Sequence, residues 1–328
     1  MADRRFLSTT PNGVACVTET GVLSEHLQDE TVTSLAAGPA GSELVLAGTE
    51  NSGVVRSTDG GETWTPRGLD GETVMSVAVA PSDPDRLYAG VRPSGVYRSD
   101  DGGATWWECE SFQGIRGRRL WRSPASAPFT AYVQALAVSP TDPGRVVAGI
   151  EFGAVVRSTD GGDRWSNHRR KAIRDCHSLV WHATDGGCVY EAGAGMGRRP
   201  GARSVDDGAT WRRGPQLDRG YGWAVAAHPE DPDVWYVSAS TGPFAAHGSG
   251  DAKAAVYRFD GDAWTLLDGL PGESMPYALV TDPMHPDHLW AGRADGSIWE
   301  SSNRGERWAR LGGALPAVER SMVMLPPA

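Results

Sequence analysis

The chain has 328 residues, a formal net charge of −10, and 29 Arg against only two Lys (Lys171 and Lys253). That net charge argues against non-specific nucleic-acid binding, four scattered cysteines make no disulfide framework, and no apolar run approaches the ~18–20 residues of a membrane span. Forty-two glycines and 22 prolines suit a turn-rich, all-β chain with one domain over 1–328.

Met1-Ala2-Asp3-Arg4-Arg5 leads directly into a strand without the apolar stretch of a signal peptide, so the expected location is cytoplasmic. Residues 6–18 (FLSTTPNGVACVT) align with residues 87–99 (LYAGVRPSGVYRS) as two neighbouring strands. From residue 32 onward a short apolar run ending near proline recurs, at 32–39, 74–81, 133–140, 176–183, 222–229, 276–283 and 319–326. Most are followed by a Pro-Asp turn and a second apolar strand. A third strand then runs into a tryptophan-closed turn: STDGGETW at 57–64, SDDGGATW at 99–106, STDGGDRW at 158–165 and SVDDGATW at 204–211. Worn copies follow at 259–264 (FDGDAW) and 301–308 (SSNRGERW). The tryptophans step by 42, 59, 46, 53 and 44 residues. A period near 40–50 residues with turn chemistry and no helical pattern predicts a radial repeat.

The predicted fold is therefore an all-β, seven-bladed β-propeller with four-stranded antiparallel blades. The last inner strand has no outer strands after it, and residues 6–18 lack an inner one. Pairing of the C-terminal strand with the N-terminal strands would close the ring and remove open sheet edges. The expected blades are 1–21 plus 319–328, then 31–68, 73–110, 131–170, 175–215, 220–268 and 275–312. Asp59, Asp101, Asp160 and Asp207 are expected to bond backbone N–H groups within their turns. Trp64, Trp106, Trp165 and Trp211 are expected to pack between sheets.

The S-x-D-x-G-x-T-W pattern resembles the Asp-box, or bacterial neuraminidase repeat, of the WD40/YVTN/BNR-like propellers. That resemblance covers nearly the whole chain. It extends to sialidases, xyloglucanase-type glycoside hydrolases, sortilin-type receptors and photosystem II assembly-factor propellers, and so implies a fold rather than a reaction. It also implies that the boxes lie opposite the active face, which makes their Asp and Trp residues structural.

Alignment of the seven apolar runs points to a site. The third position is always small and the fourth always apolar, as packing requires. The second holds Thr33, Met75, Gln134, His177, Trp223, Tyr277 and Arg320. Seven residue types at equivalent places indicate a surface released from packing. Two residues earlier stand Thr31, Thr73, Tyr132, Asp175, Tyr221, Met275 and Val318, on the same face by strand alternation. Candidate ligand-binding residues are Tyr132, Gln134, Glu151, Trp223, Tyr277 and Arg320; candidate catalytic residues are His177, Asp175 and Tyr221. Glu50, Arg92 and Arg293 also end second strands. The loops 106–132, 193–203 and 241–253 are long enough to cover this mouth. Residues 116–219 hold 17 basic against 10 acidic side chains, a sector suited to an anionic partner.

Two functions follow. In the first, the mouth binds a small anionic molecule or an acidic protein surface; no nucleic acid or membrane is expected as a partner, and the oligomeric state is open. In the second, a hydrolase or lyase uses His177 as general base, oriented by Asp175, with Tyr221 or Tyr277 donating a proton and Arg320 holding an anionic group. A sialidase is rejected, since Arg4-Arg5-Phe6-Leu7 is no F-R-I-P. A glycosidase pair from Asp175, Glu151 and Glu50 has no motif behind it. No cofactor motif is identified and no metal site is expected: His177 and His182 are five residues apart on one strand and face opposite ways. Cys176 and Cys188 are read as reduced, with a cross-hairpin disulfide left open.

Overall fold

The computed structural model describes residues 4–124 and 129–326. Its strands form consecutive antiparallel meanders. The inner strands are Val32–Ala37, Thr73–Ala80, Val133–Val138, Asp175–Trp181, Tyr221–Ala227, Pro276–Asp282 and Met322–Leu325. Each packs against the next, and the last packs back against Val32–Ala37. This cyclic order agrees with seven blades. Two neighbouring meanders, those starting at Asp175 and Tyr221, are joined into one eight-stranded sheet by the single pair Ala194↔Tyr221.

The ring closes through the termini. Met322–Leu325 pairs antiparallel with Arg5–Thr10, placing Phe6 opposite Met324 and Ser8 opposite Met322. The closing sheet runs Met322–Leu325, Arg5–Thr10, Gly13–Thr18, Gly21–His26. Its outer strand, Gly21–His26, lies beyond the boundary at residue 21 expected from the sequence. The worn turn at residues 18–21 is a short hairpin that feeds a full edge strand.

A second departure concerns 131–170, expected to hold four strands. Only Val133–Val138, Val146–Ile150 and Val155–Ser158 are regular. The fourth segment still runs alongside: Ser166 N–H donates to Arg157 O and Arg169 N–H to Val155 O, each at 2.9 Å. The return bonds go to side chains instead. Arg157 N–H donates to Ser166 Oγ at 2.9 Å and Val155 N–H to His168 Nδ1 at 3.1 Å. Side-chain acceptors thus replace the carbonyls that would make a ladder.

The turns are wired as the motif predicts. In the first, Ser57 Oγ donates to Asp59 Oδ1 at 2.7 Å, and Asp59 accepts from Thr63 N–H at 2.9 Å and Thr63 Oγ1 at 2.6 Å. These bonds hold the Asp59 carboxyl down at about 2, and the same set around Thr105 holds Asp101 at about 2. Asp160 repeats the arrangement with Ser158 and the Arg164 N–H. In the fourth turn the expected residue is corrected. Asp206, not Asp207, accepts from Ser204 Oγ, Thr210 N–H and Thr210 Oγ1. Asp207 takes the place of the first glycine, with φ +60°, and its carboxylate pairs with Arg145 at 2.7 Å.

Each box tryptophan joins its blade to the preceding one. Trp64 packs with Leu7, Val14 and Cys16 of the closing sheet, and Trp211 with Val147 and Ala135. Trp165 meets Phe112 edge-on at 5.4 Å. An arginine in the third strand makes the tie to the following blade: Arg56 donates to Gly102 O at 3.0 Å, Arg98 to Gly161 O at 2.9 Å, Arg157 to Asp206 O at 3.1 Å and Arg258 to Arg304 O at 3.1 Å. Tryptophan and arginine therefore work in opposite directions around the ring. Glycines of the second strands bring neighbouring inner strands together: a Cβ on Gly90 would lie 2.6 Å from Val133 Cγ1, and one on Gly149 would strike Cys176 Sγ.

Candidate functional site

Six of the seven inner strands carry the same irregularity. Register shifts fall between Val32 and Ser34, Val74 and Ser76, Val133 and Ala135, Cys176 and Ser178, Gly222 and Val225, and Pro276 and Ala278. The residues left over include Thr33, Met75, Gln134, His177, Trp223 and Tyr277. These are the variable second positions. A β-bulge frees one residue from the ladder and re-aims its side chain. Here the released side chains, with Arg320 from the turn before the last inner strand, line one central cavity of about 140 Å³.

Of the residues singled out in the sequence, Gln134, His177, Trp223, Tyr277 and Arg320 share this cavity. Tyr132, Glu151, Asp175 and Tyr221 do not line it. They are buried, and the last three gather about His177. Glu151 follows Val146–Ile150, and its N–H donates to Tyr132 O at 3.1 Å. Arg92 lies over the Tyr132 ring at 5.8 Å. Arg293 is buried and donates to Pro271 O at 2.8 Å, away from the cavity.

His177 is 4 % exposed. Its Nδ1–H donates to Gly222 O at 2.6 Å. Its Nε2 faces Asp175 Oδ1 at 3.5 Å and Glu151 Oε2 at 3.6 Å. The carbonyl of Gly222, rather than Asp175, therefore orients the ring through Nδ1, while Nε2 faces the two carboxyl groups. Burial disfavours the imidazolium, but the Asp175 and Glu151 carboxyl groups and the Gly222 carbonyl outweigh it and raise its pKa. Burial, only partly offset by the His177 charge, pushes the Glu151 carboxyl up to about 7. Behind this group Glu191 is fully buried and accepts from Ile173 N–H at 3.1 and 2.9 Å, which fixes the approach to Asp175.

An aromatic wall continues from His177. Its ring lies 4.9 Å from Tyr221 and 4.7 Å from Trp223. His247, which sequence reasoning did not single out, completes the wall. It ends the short helix Pro243–His247 within the loop expected to reach the mouth. The Tyr221 hydroxyl donates to His247 Nε2 at 2.7 Å, His247 Nδ1–H donates to Tyr277 Oη at 2.7 Å, and the Tyr277 hydroxyl donates to Ala246 O at 2.9 Å. One proton per link satisfies the whole chain, with His247 neutral. Burial, then the charges of His177 and Arg320, hold its pKa at about 4. Burial raises Tyr221 as well, and Tyr277 to about 12, so both remain protonated donors.

Arg320 is the arginine that lines the cavity. Its backbone N–H donates to Thr9 Oγ1 at 3.1 Å, but among the described residues its guanidinium makes no hydrogen bond or ion pair. Much of the basic sector is committed to main-chain carbonyls: Arg169 bonds Ala209 O, Arg174 bonds Gly153 O, Arg199 bonds Gly214 O, and Arg213 bonds Lys171 O and Ala172 O. Those side chains stitch loops together. In the loop 106–132, Phe112 and Trp121 are buried in one cluster with Tyr88, Val96 and Ile150; residues 125–128 of this loop lie outside the described ones. Cys176 and Cys188 are free and buried, and Cys176 stands opposite Gly193 instead.

Comparison with known proteins bears on the fold. The BNR/Asp-box repeat family matches residues 55–66. The chain carries Asp-box repeats on a β-propeller. Similar solved propellers include the GH74 xyloglucanase from Xanthomonas campestris, with 19% identity, TM-score 0.64 and coverage of 94% of this chain and 46% of that one. YCF48 bound to D1 peptide has 15% identity, TM-score 0.56 and coverage of 86% and 82%. YCF48 from Cyanidioschyzon merolae has 17% identity, TM-score 0.57 and coverage of 86% and 85%. This propeller spans from 38% to 46% of the length of the GH74 structures it matches. No curated protein matches it. No helix among the described residues is long and apolar enough to cross a membrane.

Proposed function

We propose that this propeller is a binding protein that takes a small ligand with an anionic group at the mouth of its central channel. The Arg320 guanidinium carries the reading. It lines the cavity without a partner among the described residues, on a wall that also holds the unpartnered Gln134 Oε1. A cation in a partly enclosed, aromatic-walled site favours an anion there. The cavity of about 140 Å³ has room for a carboxylate or phosphate on a short body. Trp223 and Tyr277 offer apolar faces to that body. An acidic side chain of a partner protein would present the same group, a reading that the peptide-bound YCF48 propeller supports by analogy of fold. The hydrolase or lyase reading has less support, because both nitrogens of His177 already face protein acceptors.

A thermal-shift panel of small carboxylates and phosphates, with an acidic peptide as a second arm, tests this. One or more should raise the melting temperature of the protein, and Arg320→Ala should abolish the rise. The unliganded variant should melt within a few degrees of the parent, because the backbone of Arg320, not its side chain, bonds Thr9. Equal shifts in both proteins, or none in either, would sink the assignment.

A further inference from the structure

The meeting of Glu151, Asp175 and His177 has a chemistry of its own, independent of any ligand at Arg320. Three potential donor atoms lie within 4.8 Å of one another, all on buried residues. They come from two blades: Glu151 follows the strand Val146–Ile150, while Asp175 and the bulged His177 belong to the next inner strand.

The hydrogen bonding of His177 makes the group informative. With Nδ1–H given to Gly222 O at 2.6 Å, the neutral ring turns the lone pair of Nε2 towards two carboxyl oxygens. Three electron-rich atoms around one point repel unless something positive stands between them. A proton on Nε2 relieves that repulsion but makes no short bond to either oxygen, because 3.5 and 3.6 Å are well beyond a charge-assisted hydrogen bond of about 2.7–2.9 Å. Nε2 is accordingly buried without a hydrogen-bond partner. A metal ion suits the two separations from Nε2. Zinc binds imidazole nitrogen and carboxylate oxygen at about 2.0–2.2 Å, so the donors of a tetrahedral site stand about 3.4 Å apart. A ligating histidine also commonly donates its other N–H to a carbonyl, which fixes tautomer and ring plane; Gly222 does this here. Two carboxylates and one neutral imidazole would balance a divalent charge.

We propose that Glu151, Asp175 and His177 form a binding site for a divalent transition-metal ion of the zinc class, with a coordination position left over for water or an incoming ligand. The expectation of no metal site weighed histidine spacing and sequence motifs; the carboxylate partners of His177 come together only through the bulge and the blade-to-blade contact.

The whole, untagged protein, stripped with chelator, is titrated with Co²⁺ alone. One equivalent should bind, with visible d–d absorption of a four- or five-coordinate ion, and Zn²⁺ should displace it. Asp175→Asn, Glu151→Gln and His177→Gln should each weaken binding by at least about 100-fold, beyond the 10–100-fold typical of outer-shell partners. A double variant, His285→Ala with His288→Ala, should bind as the parent does; those residues form a separate, partly exposed cluster with Asp282 and Glu300. Absence of a stoichiometric site, or a site lost only in the double variant, would overturn the proposal. Circular dichroism of the metal-free variants checks their folding. Should they not fold, anomalous scattering from Zn²⁺-soaked crystals of the parent decides: a peak among the three residues is expected, and a peak only elsewhere, or none, refutes the site.

Discussion

Thr9 and Ser321 join the two ends of the chain beside the central cavity. Thr9 N–H donates to Ser321 O at 3.0 Å, and Thr9 Oγ1 accepts from the N–H groups of Arg320 and Ser321 at 3.1 and 3.0 Å. One buried hydroxyl thus serves the seam of the ring and the backbone that carries Arg320. Thr9→Val keeps the shape but leaves two donors unmatched. The expected cost is about 1–3 kcal/mol, read as a lower midpoint in urea unfolding. The variant should also weaken anion-dependent thermal shifts, since the turn holding Arg320 loses its anchor. A midpoint unchanged from the parent would mean that water replaces the hydroxyl at no cost.

The repeat was legible because its chemistry is local. A box turn needs a serine, a carboxylate, glycines and a tryptophan within eight positions, and most copies keep them. Its errors were local too. In SVDDGATW two aspartates adjoin, and only the backbone, with Asp207 at φ +60°, decides which one accepts from Thr210. The site was half legible. Variation at Gln134, His177, Trp223, Tyr277 and Arg320 marked the cavity wall, but strand alternation could not reveal the bulges that release them. His247 was hidden for a different reason: its partners Tyr221 and Tyr277 come from separate blades, and no spacing in the chain encodes that meeting.

The two aspartates of the fourth turn should behave oppositely. Asp206→Ala removes an acceptor for Ser204, Thr210 N–H and Thr210 Oγ1, a loss of about 1–2 kcal/mol for a capped turn. Asp207→Gly relieves a left-handed backbone and loses a half-exposed pair with Arg145. These effects are each under about 1 kcal/mol and opposed, so the net change should be within ~1 kcal/mol. Chemical denaturation of both variants gives the comparison; a larger loss for Asp207→Gly than for Asp206→Ala would reverse the assignment of the box.

Trp106 tests the packing between blades. Its ring packs against the cluster that joins Leu46 and Val54 to Val77 and Leu87, and its Nε1–H bonds Arg67 O. Trp106 is partly buried, so Trp106→Ala should destabilise by about 2–3 kcal/mol, below the ~3–5 kcal/mol of fully buried aromatic truncations. Trp107, next in the chain, is 49 % exposed, and Trp107→Ala should cost less than about 1 kcal/mol. Equal losses at the two positions would contradict a wedge role for the box tryptophan.

His168 ties the irregular fourth segment of the 131–170 blade to pH. Its Nδ1 accepts from Val155 N–H at 3.1 Å, a bond that requires the neutral ring. Burial, and then the positive charges of Arg174, Arg213 and Arg169, lower its pKa from 6.5 to about 4. The unfolded chain therefore binds a proton between those values that the folded protein refuses. Stability from this residue is fully present above pH ~6.5 and drains away as pH falls towards 4. The ring is partly exposed, so solvent screening reduces the effect to about 1–2 kcal/mol. Against the parent, His168→Asn keeps a side-chain acceptor but cannot be protonated in this range. Its melting temperature should fall less steeply between pH 6.5 and 4.5, while the two proteins differ little at pH 7.5. Parallel curves for parent and variant would show that His168 titrates as a free imidazole and that the segment is held by Ser166 and Arg169 alone.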